Sequence, residues 1–469
     1  MVGGGAAGLY AALTAAGTGA EVTMISRKPL PESSSFWAQG GLAAAVGPDD
    51  SPELHTEDTL TAGRNACRPS AAEQLSREAP GIVSELESLG VDFDRDPDGS
   101  LSLALEGGHS RRRVVHAGGA GTGRRITERL AALAAAEPRI EVAEGTSALA
   151  LWSDGERCHG VVTDAGEIAA TGTVLATGGA AALWARTTNP WGAIGAGTVI
   201  AHAAGAEVAD LELCQFHPTA LAAPGTDADG LLVTEAVRGE GAMLLDANGE
   251  RFTDELAPRD VVTLAVLDRM ETGGTDHVLL DLRGISEERF PNIFEALREA
   301  GIDPAAEPVP VAPASHYVMG GVATDLEGRS SLPGLYAVGE CGCTGLHGAN
   351  RLASNSLSEC FVLGARAARA ASAEGRPEGP RPDAWRFEPP PAGTRNAVWR
   401  LAGPRRRRDQ LEQLLDDPYP LARLIARFAI AREESRGSHR RVEFPAQDPE
   451  LDRRHLVCRG EELWWDHWN

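Results

Sequence analysis

A glycine-rich segment near the start of the chain constrains the fold more than any other feature of the sequence. Residues 3–8 read GGGAAG and are followed by a helix-like run at 9–16 and a strand-like run at 20–26. Glycines at this spacing permit a tight turn and let the backbone approach a pyrophosphate, which then lies at the positive end of the helix. The segment predicts a nucleotide-binding α/β unit, although alanine- and glycine-rich chains also produce this motif by chance.

This segment departs from an ordinary dinucleotide fingerprint in two ways. The strand expected before the glycines is reduced to Met1 and Val2, so either the start lies upstream, which we expect, or the sheet lacks part of a central strand. The acidic residue that would bind a ribose about twenty positions later is absent, since the chain reads Ser26-Arg27-Lys28 there. An ordinary NAD site is therefore disfavoured.

The composition limits the number of domains and the cellular location. A chain of 469 residues with 42% hydrophobic and 24% charged residues is ordinary globular material, long enough for two or three domains. Its N-terminus lacks a basic leader, a long apolar stretch and a cleavage signal, so we expect a cytoplasmic protein without a membrane span. The seven cysteines are odd in number and irregularly spaced, which predicts neither a disulfide framework nor a metal site.

The net charge restricts the partners. A formal charge of −23 disfavours nucleic acid and anionic membranes, whose phosphates would be repelled. The same charge would repel a dianionic substrate. A site for such a substrate must therefore build its positive potential locally.

Four basic residues are candidates for that local potential. They are His217 in QFHPT, Arg259 in ELAPRD, His316 in ASHYVMGG and Arg351 in LHGANRLASNS. A single arginine or histidine is most often a surface residue, but these four lie in segments punctuated by glycine and proline, which carry function more often than packing. Two guanidinium groups and two imidazoles at one site would hold a small dicarboxylate at both ends.

Two further strands carry nucleotide-binding signals. Residues 173–179 (TVLATGG) and 334–340 (GLYAVGE) are apolar strands that end in glycine, and both resemble the returning strands of flavoproteins with a discontinuous FAD-binding domain. Glu340, at the end of the second strand, is placed to accept a hydroxyl of the flavin's sugar-alcohol chain, or it is a surface carboxylate.

With these motifs, the sequence resembles the L-aspartate oxidase family, within the succinate dehydrogenase and fumarate reductase flavoprotein superfamily. The resemblance runs over nearly the whole chain in ten collinear blocks, which are the two strands above and residues 34–43, 106–119, 215–221, 231–242, 255–260, 313–322, 344–357 and 431–437. It implies an α/β fold with a discontinuous Rossmann-like FAD-binding domain (1–210 and 318–386), an inserted α+β capping domain (211–317) and a small C-terminal helical domain with an irregular tail (387–469). Residues 377–391, rich in proline and glycine, are the expected linker.

The resemblance also implies the cofactor and its contacts. Covalent members of the superfamily attach the flavin through a histidine in the segment corresponding to residues 33–41, and this chain has Phe36 and Trp37 but no histidine there, so FAD should be bound noncovalently. Where relatives usually carry an aspartate that contacts the cofactor, this chain has Ala196. The expected cofactor-binding residues are Gly3, Gly5, Ala6, Ala7, Gly8, Ser26, Arg27, Ser34, Ser35, Phe36, Trp37, Ala38, Gln39, Gly40, Gly41, Thr177, Gly178, Glu340, Asn355, Ser356 and Leu357.

Substrate roles follow from the same resemblance. Arg351, His217 and His316 would fix the two carboxylates of L-aspartate, with Thr234 adding a hydroxyl donor. Glu106 would meet the ammonium group; succinate has no such group, so a buried carboxylate there favours an amino acid. Arg259 would exchange a proton through Glu235 or water, or act only electrostatically, since arginine resists deprotonation.

The resulting functional hypothesis is FAD-dependent oxidation of L-aspartate to iminoaspartate. Oxygen or fumarate would accept the electrons. The oxidation would be the first step of de novo NAD biosynthesis, and quinolinate synthase would receive its product. Two alternatives stay open: a soluble fumarate reductase or succinate-oxidising flavoprotein, and a decayed relative that binds dicarboxylates without turnover.

The C-terminal segment gives weaker signals. Helices are expected around residues 411–415 and 421–431 from their amphipathic pattern. The Arg405 to Arg408 run is expected to form a solvated helical face that pairs with Asp409, Glu412 and Asp416. The tryptophan-rich end of the chain, residues 463–468, is expected to pack onto the body of the protein.

Overall fold

The fold was analysed in a computed structural model that describes residues 1–30, 32–375 and 386–469. The helices are α1 (Ala6–Gly17), α2 (Pro52–Ala62), α3 (Pro69–Ser88), α4 (Thr122–Ala136), α5 (Ala196–Ala203), α6 (Glu235–Gly239), α7 (Arg259–Gly273), α8 (Pro291–Glu299), α9 (Asn355–Ser372), α10 (Thr394–Leu401), α11 (Arg408–Leu414) and α12 (Pro420–Ala431). The strands are β1 (Val22–Ser26), β2 (Leu42–Ala43), β3 (Leu103–Ala104), β4 (Val114–Val115), β5 (Ile140–Glu144), β6 (Ala148–Ser153), β7 (Cys158–Thr163), β8 (Gly166–Ala169), β9 (Thr173–Leu175), β10 (Val208–Ala209), β11 (Cys214–Leu221), β12 (Met243–Leu245), β13 (Val278–Asp281), β14 (Val309–Val318), β15 (Gly321–Ala323), β16 (Leu335–Ala337), β17 (Gly342–Cys343), β18 (Arg454–Arg459) and β19 (Glu462–His467). Nowhere in these ranges is a helix long and apolar enough to cross a membrane.

A parallel sheet forms the centre of the nucleotide-binding unit. Strand β5 pairs with β1, and β9 pairs with β16, both in parallel. Val2 joins the two pairs, because it bridges in parallel to Ile25 on one side and to Leu175 on the other. The two residues before the glycines thus occupy the position of the central strand, and the predicted Rossmann-like α/β fold is confirmed.

Both faces of this sheet are covered. Helices α1, α3, α4 and α9 supply the apolar cluster on one face. On the other face, β6, β7 and β8 form an antiparallel sheet whose Leu151 and Val161 pack with Val2, Ile25 and Leu175. Burial on both faces explains why the short central strands are almost entirely apolar.

A second sheet carries two of the seven substrate-site candidates, His217 and His316. It is antiparallel, in the order β11-β14-β13-β12, and its apolar face packs with residues from α7 and α8. This sheet lies within the segment expected to form the capping domain. The domain limits at 210, 317 and 386 stay predictions, and residues 376–385 of the expected linker lie outside the described part of the chain.

The C-terminal segment differs from the expected irregular tail. Helices α10, α11 and α12 pack in one apolar cluster, as their patterns indicate. Beyond them, however, β18 and β19 form an antiparallel hairpin, and β18 pairs with β10, with Val208 opposite Cys458. The prediction of an irregular tail was wrong, because the run from His455 to Cys458 is buried on both faces and therefore lacks the alternation that marks a half-exposed strand.

The basic run at 405–408 is not a single solvated helical face. The guanidinium of Arg406 is buried, where it donates to the Glu212 carbonyl and contacts Nδ1 of His439 at 2.8 Å. Arg405 pairs with Asp268 and Glu271 of α7. Only the pairing of Arg408 with Glu412, at 3.0 Å, follows the expected helical spacing, because the helix begins at Arg408 and the preceding residues turn into the protein.

A buried ionic cluster fixes the C-terminal segment to the chain that leads into β11. The Arg432 side chain is fully buried and donates through Nε to Glu212 and through Nη1 to Glu434 at 3.1 Å. Asp210 lies 3.5 Å from Nη2, and the Trp465 ring lies beneath the guanidinium at 4.7 Å. Among the described residues, Glu212 depends on this one cation, whereas Glu434 also pairs with Arg436 at 2.8 Å and Asp210 also contacts Nδ1 of His455.

We predict that Arg432→Met lowers the free energy of unfolding by about 3–5 kcal/mol, because it leaves the buried Glu212 carboxylate without its counter-ion. Arg408→Met is the matched control, since its ion pair with Glu412 is more than half exposed and should contribute at most about 1 kcal/mol. Urea unfolding followed by tryptophan fluorescence measures both. Equal losses in the two variants would contradict a stabilising role for the cluster.

Candidate active site

One cavity of about 540 Å³ brings the sequence-predicted substrate residues together. It is lined by all seven of them, which are Glu106, His217, Thr234, Glu235, Arg259, His316 and Arg351. The same cavity extends to the glycine-rich loop before α1. Residues that lie up to about 250 positions apart in the chain thus face one space.

Strand pairing explains how the two histidines meet. His217 lies on β11 and His316 on β14, and these strands are antiparallel neighbours with an irregular register between Gln215 and Ala220. Their ring centroids are 5.1 Å apart. Burial, reinforced by the positive charge of Arg259, holds the pKa of both imidazoles well below 6.5. Both rings are therefore neutral at pH 7.

Arg259 is the first residue of α7 and is held by two partners. Its Nε donates to Oε2 of Glu235 at 2.7 Å, and its Nη1 donates to Oε1 of Gln215 at 3.0 Å. Glu235 also accepts from the Gly107 amide at 2.9 Å, and Arg238 lies 3.6 Å from Oε2. Burial alone would raise the pKa of Glu235, but Arg259 and then Arg238 outweigh it and lower the pKa to about 2. Glu235 is therefore an anion between two guanidinium groups.

Arg351 is a buried cation in the loop before α9. Its guanidinium lies 4.7 Å from the Tyr317 ring centroid, and Nη1 donates to Ser356 Oγ at 3.0 Å. Burial, and then the charge of Arg259, lower its pKa to about 10, so it stays protonated at pH 7. Within the described residues its Nε has no hydrogen-bond partner and no carboxylate pairs with it. It has unused donors for a carboxylate.

Glu106 presents a carboxylate to the same cavity. It is buried, and its Oε2 accepts from the Ser354 hydroxyl at 2.7 Å. His116 lies 3.9 Å from Oε1. In the described part of the chain no arginine forms an ion pair with it. Its charge is therefore placed to meet a cation in the cavity.

The glycine-rich end of the cavity fits a dinucleotide. Gly3 has φ +116°, and a Cβ there would lie 2.2 Å from the Ala176 carbonyl oxygen. Helix α1 begins at Ala6 without a side-chain cap from Gly5, while the Ala6 amide donates to Ser35 Oγ at 3.2 Å. Backbone donors at an uncapped helix start are suited to a pyrophosphate.

Most of the expected cofactor residues line this cavity. They are Gly3, Gly5, Ala6, Ala7, Ser26, Arg27, Ser34, Ser35, Trp37, Ala38, Gln39, Gly40, Gly41, Thr177, Gly178, Glu340, Ser356 and Leu357. One oxygen of Glu340 accepts from the Val318 amide at 2.9 Å, and burial raises the pKa of this carboxyl to about 7. Ala196, at the position where the resemblance implies an aspartate, also lines the cavity.

Three expected cofactor residues do not line the cavity. Gly8 packs against the glycine loop, where a Cβ would lie 2.0 Å from the Gly3 oxygen. The Phe36 ring lies 4.9 Å from the Arg124 guanidinium, and the Asn355 side chain contacts His55 at 2.7 Å and Thr59 at 3.0 Å. These residues contact other parts of the protein, and their role as cofactor contacts stays a prediction.

The sequence reasoning missed several residues of the site. Gln215 links the two arginines, because its Nε2 donates to the Arg351 carbonyl at 2.8 Å while its Oε1 accepts from Arg259. Ser354 holds Glu106 and has a left-handed backbone, with φ 60°. Gln215 lies in the QFHPT motif of His217, and Ser354 lies in the LASNS segment that follows Arg351. Their place in these motifs is the sequence feature that could have identified them.

One of the cysteines, Cys360, lines the cavity, and the other six do not. All seven cysteines, at 67, 158, 214, 341, 343, 360 and 458, are free thiols, and burial raises the pKa of each. In residues 1–30, 32–375 and 386–469, no three histidine, cysteine or acidic side chains are grouped as metal ligands.

Family models and solved structures define the class. The model described as an FAD binding domain matches residues 1–357, and the model described as the fumarate reductase flavoprotein C-terminus matches residues 409–467. E. coli quinol fumarate reductase superposes with a TM-score of 0.89 at 28% identity, covering 99% of this chain and 95% of that one. Mycobacterium smegmatis Sdh1 superposes at 0.85 with 30% identity, covering 100% and 94%. The chain has the fold of the succinate dehydrogenase and fumarate reductase flavoproteins and belongs to this class of FAD-dependent oxidoreductases.

Curated relatives narrow the assignment further. L-aspartate oxidase of Caulobacter vibrioides is 46% identical and covers 98% of this chain and 96% of its own length. The L-aspartate oxidases of Mesorhizobium japonicum and Streptomyces coelicolor are 45% and 41% identical, each over 98% of this chain and over 95% and 90% of their own. This chain belongs to the L-aspartate oxidase family, and its cofactor is FAD.

We predict that Gly3→Ala weakens retention of FAD, because a side chain at φ +116° adds about 1–3 kcal/mol of strain and displaces the loop that faces the cofactor. The apparent dissociation constant should rise roughly 5- to 150-fold. Gly17→Ala is the control, since no atom lies within 4 Å of a Cβ there. Flavin absorbance per protein after desalting, with circular dichroism to verify folding, gives the answer; full retention in Gly3→Ala would refute the assignment.

Proposed function

We propose that this protein oxidises L-aspartate to iminoaspartate. The observation that carries the proposal is the composition of a single cavity wall. It combines the buried Arg351 guanidinium, which no carboxylate of the described residues pairs with, and two neutral imidazoles, all suited to carboxylates, with the Glu106 carboxylate, suited to an ammonium group. These are the charges of L-aspartate in complementary form.

The proposed roles follow from the available donors. Arg351 has unpaired guanidinium donors and would bind one carboxylate. His217, His316 and the Thr234 hydroxyl would supply neutral donors to the carboxylates. Glu106 would orient the ammonium group and offset its charge.

Proton removal is assigned to the region around Arg259. When bound, FAD supplies the acceptor for the hydride from the α-carbon, and this transfer requires a neutral amine. The low pKa of Glu235 makes this carboxylate a weak base by itself at pH 7. Its bond to Arg259 supports a proton exchange through the pair or through water, and it equally supports an electrostatic role for the guanidinium.

The place of the reaction in metabolism is also a proposal. Oxygen or fumarate would reoxidise the cofactor, and fumarate would be held by the same carboxylate-binding groups. Iminoaspartate would pass to quinolinate synthase in the cytoplasm for NAD biosynthesis. Membership of the family supports this proposal, which does not rest on a docking surface for quinolinate synthase.

Two alternative functions make different demands on the site. A soluble fumarate reductase or succinate-oxidising enzyme has no ammonium group to bind, so Glu106 would be a buried charge without a ligand. A decayed relative without turnover is suggested by Ala196 and by the shortened first strand. The arrangement of Glu106 favours the amino-acid substrate.

We predict that L-aspartate bleaches the flavin of the wild-type protein under anaerobic conditions and yields peroxide in air. In Arg351→Ala, kcat/KM should fall by about 10- to 100-fold, because a charge-assisted hydrogen bond contributes about 1.5–3 kcal/mol. Arg283→Ala is the control, since that exposed residue pairs with Asp281 away from the cavity. Near-normal kcat/KM in Arg351→Ala would refute the carboxylate assignment.

Glu106→Gln tests the amino-acid specificity. If the carboxylate meets the ammonium group, the variant should lose L-aspartate oxidation by about 10- to 100-fold while fumarate reduction changes little, since fumarate has no amine. Both activities are measured on one preparation with matched flavin content. Equal losses in the two reactions would instead identify Glu106 as a structural carboxylate.

A further inference from the structure

The two imidazoles of the site can help to bind a carboxylate only if each presents an N–H to the cavity. A neutral imidazole carries one proton, and the nitrogen without a proton would present a lone pair that repels the carboxylate. Both rings are neutral, as shown above. The tautomer of each ring therefore decides whether it attracts or repels the substrate.

The backbone sets the tautomer of His217. Its Nδ1 accepts from the backbone N–H of Thr219 at 3.3 Å. A backbone N–H can only donate, so a proton on Nδ1 would point at another proton; the Thr219 hydroxyl also lies 3.4 Å from Nδ1 and donates to the Val233 carbonyl at 3.0 Å. Nδ1 is therefore unprotonated and the proton resides on Nε2.

The tautomer of His316 depends on one side chain. Its Nδ1 lies 2.7 Å from the Thr188 hydroxyl, which can either donate or accept. The competing acceptor for the Thr188 proton is the Ser315 carbonyl at 3.5 Å. That carbonyl already accepts from the Thr188 amide at 3.0 Å and from the Thr187 hydroxyl at 3.2 Å, which fill its two lone pairs. The short contact is therefore a donation from Thr188 to Nδ1.

Asn189 reinforces this arrangement. Its side-chain amide donates to the His316 carbonyl at 2.7 Å and approaches the Thr188 oxygen at 3.5 Å, from the donor side. The Thr188 oxygen thus has a donor facing it and its own proton is free for Nδ1. In the described part of the chain, Nε2 of His217 and Nε2 of His316 have no hydrogen-bond partner, and both rings line the cavity.

We propose that Thr188 is a positioning residue that fixes His316 as the Nε2–H tautomer, so that His316 and His217 present two neutral N–H donors to a substrate carboxylate. The effect on substrate binding rests on the proposed function, whereas the assignment of the tautomer rests only on the contacts of Thr188 and His316. Arg351 supplies positive charge, while the paired imidazoles add directional donors without adding to the charge repulsion among buried cations.

Thr188→Val tests the proposal, because valine keeps the shape of threonine and removes the hydroxyl. Without that donor the His316 proton should redistribute to Nδ1, and kcat/KM for L-aspartate should fall about 10- to 100-fold. The inhibition constant of succinate, used as a dicarboxylate probe, should rise about tenfold. Thr188→Ser retains the donor and should stay within about threefold of the wild type in both measurements.

Two controls separate this role from the general effect of losing a buried hydroxyl near the site. Thr263→Val removes a buried hydroxyl that donates to the Phe216 carbonyl at 3.0 Å and does not touch His316. Flavin content and the thermal midpoint report on folding for every variant. Losses in Thr263→Val equal to those in Thr188→Val, or a Thr188→Val enzyme with near-normal constants, would overturn the proposal.

A direct readout needs no turnover. In protein labelled with ¹⁵N-histidine, the long-range couplings of the ring nitrogens distinguish Nε2–H from Nδ1–H, and the His316 signals are assigned by their absence in His316→Gln. We expect Nε2–H in the wild type and in Thr188→Ser, and a mixture in Thr188→Val. Finding Nδ1–H in the wild type would overturn the proposal even if L-aspartate is oxidised, whereas a wild type that does not oxidise L-aspartate would refute the proposed function and leave the tautomer assignment standing.

Discussion

The site depends on keeping positive charge buried without neutralising it. Arg351 is enclosed by the protein and, among the described residues, is met by an aromatic ring and a hydroxyl rather than a carboxylate. Burying a cation in this way costs free energy, which a bound dianion can offset. In a chain with a net charge of −23, this local concentration of guanidinium groups is what allows an anionic ligand to be attracted at all.

The two arginines of the site are treated differently by their surroundings. Arg259 is paired with Glu235, which is itself held between Arg259 and Arg238, so this part of the site is nearly balanced in charge. Arg351 is left unbalanced and linked to Arg259 only through the neutral amide of Gln215. The Arg259 guanidinium is thus paired within the protein, whereas the Arg351 guanidinium is available to a ligand. The sequence motifs do not reveal this difference.

The sequence predicted what local chemistry determines and missed what distant partners determine. The glycine loop, α1 and β1 follow from residue types within a short window, and the motif residues around the cavity were identified for the same reason. The buried Arg406 and the strand β18 were not foreseen, because an arginine run and a short apolar run each acquire their structure from a partner far away in the chain. The sequence did not identify three neutral residues of the site, Gln215, Ser354 and Thr188. The role of a neutral side chain depends on the group that it contacts, and these contacts are formed only in the folded protein.

The pairing of β10 with β18 has a consequence for biosynthesis. The backbone amide of Leu456 bonds to Asp210, a partner 246 residues earlier in the chain. During translation the edge of β10 therefore emerges long before the hairpin that covers it, and an uncovered strand edge is a template for association with other chains. Nascent chains of this protein should be most dependent on chaperones in the interval between these two segments leaving the ribosome.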